Sequence, residues 1–135
     1  MDDATAALDR FMASLEGDAR QLAAGEWGLT IEAGGFELEV GIAIRGGLLR
    51  AQAAVLPAGV TDPHQLLFWN RQAPLVCFAQ NGAGEVFVMG ELPLQAVVPA
   101  TLDIFLGVLV ATAGRAREQA VASTPAPSSE LPPTG

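Results

Sequence analysis

Residues 66–117 constrain the fold more than any other part of this chain. A short helical pattern leads into them, Asp62-Pro63-His64-Gln65-Leu66-Leu67-Phe68-Trp69-Asn70-Arg71. Asp62 is placed as its N-cap, Pro63 as its first helical residue and Gln65 as a capping-box partner. Two runs follow that are apolar on both faces of an extended chain, Pro74-Leu75-Val76-Cys77-Phe78-Ala79 and Val86-Phe87-Val88-Met89. They are joined through Asn81-Gly82, a strong hairpin signal between apolar runs. Pro93 ends the second run, and Pro99 begins a long helix whose Leu102, Phe105, Leu106, Leu109, Val110 and Ala113 make one stripe. Ile104, Val108 and Ala111 widen that stripe into a girdle on which more than one neighbour must pack. So small a domain has nothing of its own to cover both faces of the hairpin. The pattern therefore calls for an obligate homodimer through Leu67, Trp69, Val76 and Phe78, because a bare second face would exceed the apolar patch that monomers tolerate.

Upstream, Leu8, Phe11, Met12, Leu15, Ala19 and Leu22 fall on one stripe of an amphipathic helix. Asp2 or Asp3 caps its start, Glu16 and Arg20 form an i,i+4 pair, and Gly25 is its stop. Gly17 inside it costs about 1 kcal/mol relative to alanine and marks where the helix could bend or end early. After Gly25 the period becomes two. Trp27, Leu29 and Ile31 alternate with polar or small residues, and so do Phe36, Leu38, Val40, Ile42 and Ile44, while residues 48–56 make a third strand stopped by Pro57. Gly34-Gly35 and Gly46-Gly47 supply the turns.

The resulting expectation is an α+β domain over residues 1–122, in the order α-β-β-β-α-β-β-α, with a five-stranded antiparallel sheet and three helices. The first and third helices should pack on one face and the second near the other. Residues 123–135 have four prolines and no apolar period, the composition of a disordered tail.

Composition narrows the function. Half the residues are hydrophobic and only 16% are charged, an excess of apolar surface that belongs in an interface. Seven arginines and no lysine stand against fifteen acids, for a net charge of −8. That field repels phosphate backbones and anionic lipid, so direct binding to nucleic acid or membrane is disfavoured. Between positions 16 and 39, six acids face only Arg20. They are either a solubilising surface or a means of steering a basic partner, with Glu32, Glu37 and Glu39 at its centre. One cysteine excludes an internal disulfide, and the first twenty residues mix acids with apolar positions, unlike a secretion leader; the cytoplasm is the expected compartment. Residues 97–113 contain Pro99 and Asp103 and read as a core or interface helix, not a membrane span.

No chemistry-bearing constellation emerges. His64 has no partner histidine or cysteine, and Cys77 reads as a small buried hydrophobe. The glycine pairs join strand to strand, whereas phosphate loops join a strand to a helix. Glu37 and Glu39 read as a solvated strand face. No catalytic, metal or cofactor residue is expected.

The element order is similar to that of the type III secretion chaperones and the related bacterial YbjN proteins. The likeness is carried by Leu67-Phe68-Trp69-Asn70-Arg71 leading into Pro74-Leu75-Val76-Cys77-Phe78-Ala79, by Gly84-Glu85-Val86-Phe87-Val88-Met89-Gly90-Glu91-Leu92-Pro93, and by Leu102-Asp103. It covers nearly the whole chain except the tail. The resemblance implies a small acidic cytosolic dimer that binds an extended or partly unfolded segment of a partner protein, without ATP and without catalysis. The acidic surface favours a basic client, such as a protein that handles nucleic acid. The competing expectations are a regulatory or scaffolding dimer on a folded partner, and a small-ligand sensor. The last lacks the convergent polar groups that a ligand pocket needs.

Overall fold

A computed structural model describes residues 3–123, with side chains to 120. The elements run α1 (Asp3–Ser14), β1 (Asp18–Ala23), β2 (Glu26–Ala33), β3 (Phe36–Arg45), β4 (Leu48–Leu56), α2 (Pro63–Gln72), β5 (Val76–Gln80), β6 (Val86–Pro93), a short 3₁₀ turn (Leu94–Ala96) and α3 (Pro99–Ser123). The fold is α+β with an antiparallel sheet, as expected, but the sheet has six strands in the order β1-β2-β3-β4-β6-β5. Apart from Ser123, the expected tail lies outside the described residues.

The extra strand comes from the end of the expected first helix. Gly17 adopts φ +119°, a conformation no helix contains, and from Asp18 the chain turns back as β1 against β2. Ala19 and Leu22 fit the helical stripe by spacing alone, and Leu22 is in fact 64% exposed. Glu16 and Arg20 therefore belong to different segments, and Arg20 finds its partners across the sheet.

One face of the sheet carries the core. Leu29, Val40, Ala53 and Val88 follow one another across four strands, as do Trp27, Ile42, Ala51 and Gly90, and nearly all are buried. Leu8 and Met12 of α1 and Leu102, Phe105 and Leu109 of α3 pack on this face. The second helix also lies on this side, not near the other. Trp69 packs on Phe78 with ring centroids 5.4 Å apart, and Phe78 points inward beside Val88, because directly opposed residues of paired strands share a face. By length and composition Pro99–Ala120 would pass for a membrane span, but Leu102, Phe105, Leu109 and Ala113 on its inner stripe are buried. Its inner stripe makes it the core helix.

Three polar side chains fasten these layers through the backbone. Asp9 accepts from the Gly25 N–H at 3.0 Å and the Trp27 indole N–H at 2.8 Å, tying α1 to the β1–β2 turn. Asn70 accepts from the Phe78 N–H at 2.6 Å and donates to the Phe78 carbonyl at 3.2 Å. Arg117 donates to the carbonyls of Val55, Ala33, Phe36 and Glu37 at 3.1 to 3.2 Å, and to that of Ala54 at 3.5 Å. Burial draws its pKa below the ordinary arginine value, though a guanidinium stays charged at neutral pH. Beside it, Gly34 and Gly114 meet so closely that a Cβ at position 34 would stand 2.8 Å from the Gly114 carbonyl.

Candidate protein-binding face

The sheet's second face is uncovered by any helix among the described residues. Strand alternation puts every second residue on it, and pairing aligns these residues in rows. The middle row crosses all six strands as Arg20, Gly28, Gly41, Gln52, Met89 and Cys77. On one side lies the row Glu26, Ala43, Arg50, Glu91, where Arg50 pairs with Glu91 at 3.1 Å; Arg45 reaches Glu26 at 3.0 Å. On the other side Asp18, Thr30 and Glu39 align.

The two charged rows lie four residues apart along the strands, roughly 13 Å. Between them the floor is low at Gly41, while the Arg20 guanidinium lies over Gly28. Gly41 has nothing within 4 Å of where a Cβ would stand, and a hollow of about 300 Å³ opens over Gly41, Gln52 and Met89 and over the first charged row, Glu26, Ala43, Arg50 and Glu91. Such a trough admits an extended chain or one face of a helix, whose diameter is about 10 Å.

Beyond β4 the same face becomes apolar: Ala54, Phe87 and Ala79 lie in one row beside Met89 and Cys77. Cys77 is exposed here, contrary to the expected burial. Val76 and Phe78 point into the core, so the residue between them points out.

Of the four residues expected to join two copies, three are in the chain's own core. Trp69 is 9% exposed, and Val76 and Phe78 are each 6% exposed. Placement of α2 on the inner face explains this, since it covers the inward side of β5 that a partner was expected to cover. Leu67 is 68% exposed, and its neighbours Phe68 and Leu75 are each 52% exposed. Leu75 has φ +66°, and the Val76 N–H donates to the Pro74 carbonyl at 2.7 Å, which together make a tight three-residue turn. A leucine in this left-handed region costs about 1–2 kcal/mol. The turn holds its side chain toward solvent.

The three acids expected to steer a partner divide in two. Glu39 accepts from the Thr30 hydroxyl at 2.7 Å and from Arg20 at 3.0 Å. The Thr30 hydrogen bond is the main cause lowering its pKa; local desolvation opposes it and Arg20 reinforces it. Glu32 and Glu37 stand directly opposite each other on β2 and β3, both exposed and without an ion pair among the described residues. Like charges so placed destabilise a hairpin, so this pair is a cost that local packing does not explain. His64 is exposed in the first turn of α2, as expected of a surface residue. Among the described residues, no three His, Cys, Asp or Glu side chains gather in a metal-sized cluster.

Sequence reading missed the roles of Asp9, Asn70 and Arg117. Arg117 left a usable trace: it stands four residues beyond Ala113 on the inward stripe of α3, where a charge must find buried acceptors. Asn70 left only its position between buried Trp69 and the coming strand.

No family model and no curated protein sequence matches the chain. Solved structures do match. The Yersinia pestis type III secretion chaperone SycH, solved in complex with a stable fragment of YscM2, is 19% identical with a TM-score of 0.59, over 90% of this chain and 99% of that one. A chain of the HopA1–SchA chaperone–effector complex is 15% identical with a TM-score of 0.66, over 88% and 98%. A chain of the ExsC–ExsE complex is 17% identical with a TM-score of 0.64, over 92% and 100%. At these identities the likeness establishes the fold, which is that of the type III secretion chaperones.

Proposed function

We propose that this protein is a non-catalytic, chaperone-like binding protein of the cytoplasm. It holds a segment of a basic partner protein across the outer sheet face between β1 and β6. The observation that carries this reading is the trough over Gly41, Ala43, Gln52 and Met89, edged by the charges of Glu26, Arg45, Arg50 and Glu91 and left open by every described helix. The unpaired Glu32 and Glu37 lie on the same two strands and attract a basic segment, while Glu39 is largely spent on Arg20 and Thr30. The solved neighbours support the reading, since chaperones of this fold have been solved in complex with protein partners.

The protein acts as a homodimer. Leu67, Phe68 and Leu75 are the contact residues, in place of the buried Trp69, Val76 and Phe78. A strained leucine held outward by its backbone is the kind of local cost that functional surfaces retain. The likeness to YbjN proteins rests on the sequence pattern alone and adds no partner.

Charge reversal tests the steering. Glu32→Arg with Glu37→Arg should slow association with the client at low salt and change dissociation little, because exposed charges act mainly on the on-rate. Adding Glu39→Arg should add less. Equal association rates for wild type and the double variant would reduce these acids to a solubility surface. Sedimentation equilibrium tests the dimer: wild type should run as a dimer at micromolar concentration and Leu67→Asp with Leu75→Asp as a folded monomer. A monomeric wild type would remove the claim.

A further inference from the structure

From the cavity between α2 and α3 we infer a binding site for a small monocarboxylate with a short apolar tail. The hydroxyl of Thr112 is the one buried side-chain polar atom among the described residues that has no hydrogen-bond partner, and Thr112 is 3% exposed. It borders a cavity of about 60 Å³ lined by Trp69, Phe78, Ala73 and Ala116, with the exposed Gln72 and Gln119 also on it. At the mouth stands Arg115, exposed and without a hydrogen bond or ion pair among the described residues.

Thr112 and Arg115 are three residues apart on one helix, so their side chains are surface neighbours with Cβ atoms about 5–6 Å apart. One carboxylate can accept from both, the hydroxyl beneath and the guanidinium at the rim. Next to Thr112 the aromatic and alanine walls suit a short apolar tail, and the amides of Gln72 and Gln119 are the other polar groups that border the cavity. A water needs about 10–15 Å³ by the same measure, so the cavity has room for a few heavy atoms. The tail then runs along Trp69, which also borders an adjoining hollow of about 320 Å³ with Val60 and Asp62. Asp62 disfavours a second negative charge there. The surrounding protein is strongly acidic, so Arg115 is a rare place where an anion gains by approaching.

The site is independent of the chaperone-like reading, and its test uses neither client nor oligomeric state. Amide and indole N–H spectra of the full chain are recorded while sodium butyrate is added into the millimolar range at constant ionic strength. The Trp69 indole and the Thr112 and Ala116 amides should shift saturably while the Trp27 indole stays still. Thr112→Val and Arg115→Gln should each weaken binding by roughly tenfold or more, the usual effect of losing a hydrogen bond to a charged group. Thr112→Ser, which keeps the hydroxyl, should retain binding; butan-1-ol should give no saturable shift, and succinate should bind more weakly than butyrate. Absence of a saturable butyrate shift, or one that survives both Thr112→Val and Arg115→Gln, would overturn the site and leave a cleft that holds only water.

Discussion

The two edges of the sheet are finished differently. At β5 the Asn70 side chain takes both the N–H and the carbonyl of Phe78, standing in for a seventh strand, and α2 lies alongside. At β1 the described side chains that reach its backbone are its own, Arg20 donating to the Asp18 carbonyl and Gln21 to the Ala23 carbonyl; the strand is exposed and irregular between Gln21 and Ala23. An open edge is a template for another chain, and a sealed one is not. The contrast separates two kinds of association. At the β5 end a partner meets side chains, Leu67, Phe68 and Leu75, with no ladder to extend. At the β1 end it meets free backbone, charge and the open trough.

The largest effect should come from loosening the β1 half. Arg117→Ala leaves the carbonyls of Ala33 and Val55 without their donor and detaches the β2–β3 hairpin from α3, at a cost of about 3 kcal/mol in urea unfolding. A loss within experimental error would mean that water replaces the guanidinium. Next, Asn70→Ala unseals β5 and should cost about 2 kcal/mol. It should also promote concentration-dependent aggregation by edge pairing, read by light scattering; a stable, non-aggregating variant would show that α2 alone guards the edge.

Leu75→Gly sharpens the contrast from the other side. Glycine adopts φ +66° without the steric cost, so the monomer should gain about 1 kcal/mol, reduced by the entropy of a freer unfolded chain. Dimerisation should weaken at the same time. A variant that unfolds no later and dimerises as before would show that Leu75 is neither strained nor in contact.

The smallest effect is one of pH. The folded-state pKa of Glu39 is depressed, so its contribution is present above the unfolded carboxylate pKa, near 4.3, and is lost as pH falls through the lower folded value. Thr30→Val removes the main cause of that depression. The stability difference between wild type and Thr30→Val should therefore be present at neutral pH and shrink below about pH 4. A difference that does not vary with pH would mean the hydroxyl acts through packing alone.

Much of the fold was legible because its signals are local. Diglycine turns, the alternation of Leu38, Val40 and Ile42 in β3 and the Asp62 cap each act within a few residues and appear as read, whereas Ile31 and Phe36, near the β2–β3 turn, are exposed although they keep the inward spacing. Reading failed where one pattern served two structures. Ala19 and Leu22 keep helical spacing with Leu8 and Met12, yet Gly17 ends the helix and tertiary pairing with β2 makes them a strand. The site was less legible. An apolar run such as residues 74–79 does not say which face its own α2 will take, so buried Trp69 and Phe78 were read as interface and exposed Cys77 as core. The trough depends on register across five strands, β1 to β4 and β6, which no single segment encodes.

Site-specific photo-crosslinking tests the central claim most directly. A photoreactive residue is placed at Gln52, in the floor of the trough, and in a second variant at Ile104, 59% exposed on α3. Each purified variant is irradiated with a basic client recovered on the wild-type protein, and the adducts are mapped by mass spectrometry. The account predicts strong adducts from Gln52 to one contiguous client segment, reduced by Glu32→Arg with Glu37→Arg, and weak or no adducts from Ile104. Adducts from Ile104 alone, or equal yields from both positions, would contradict it.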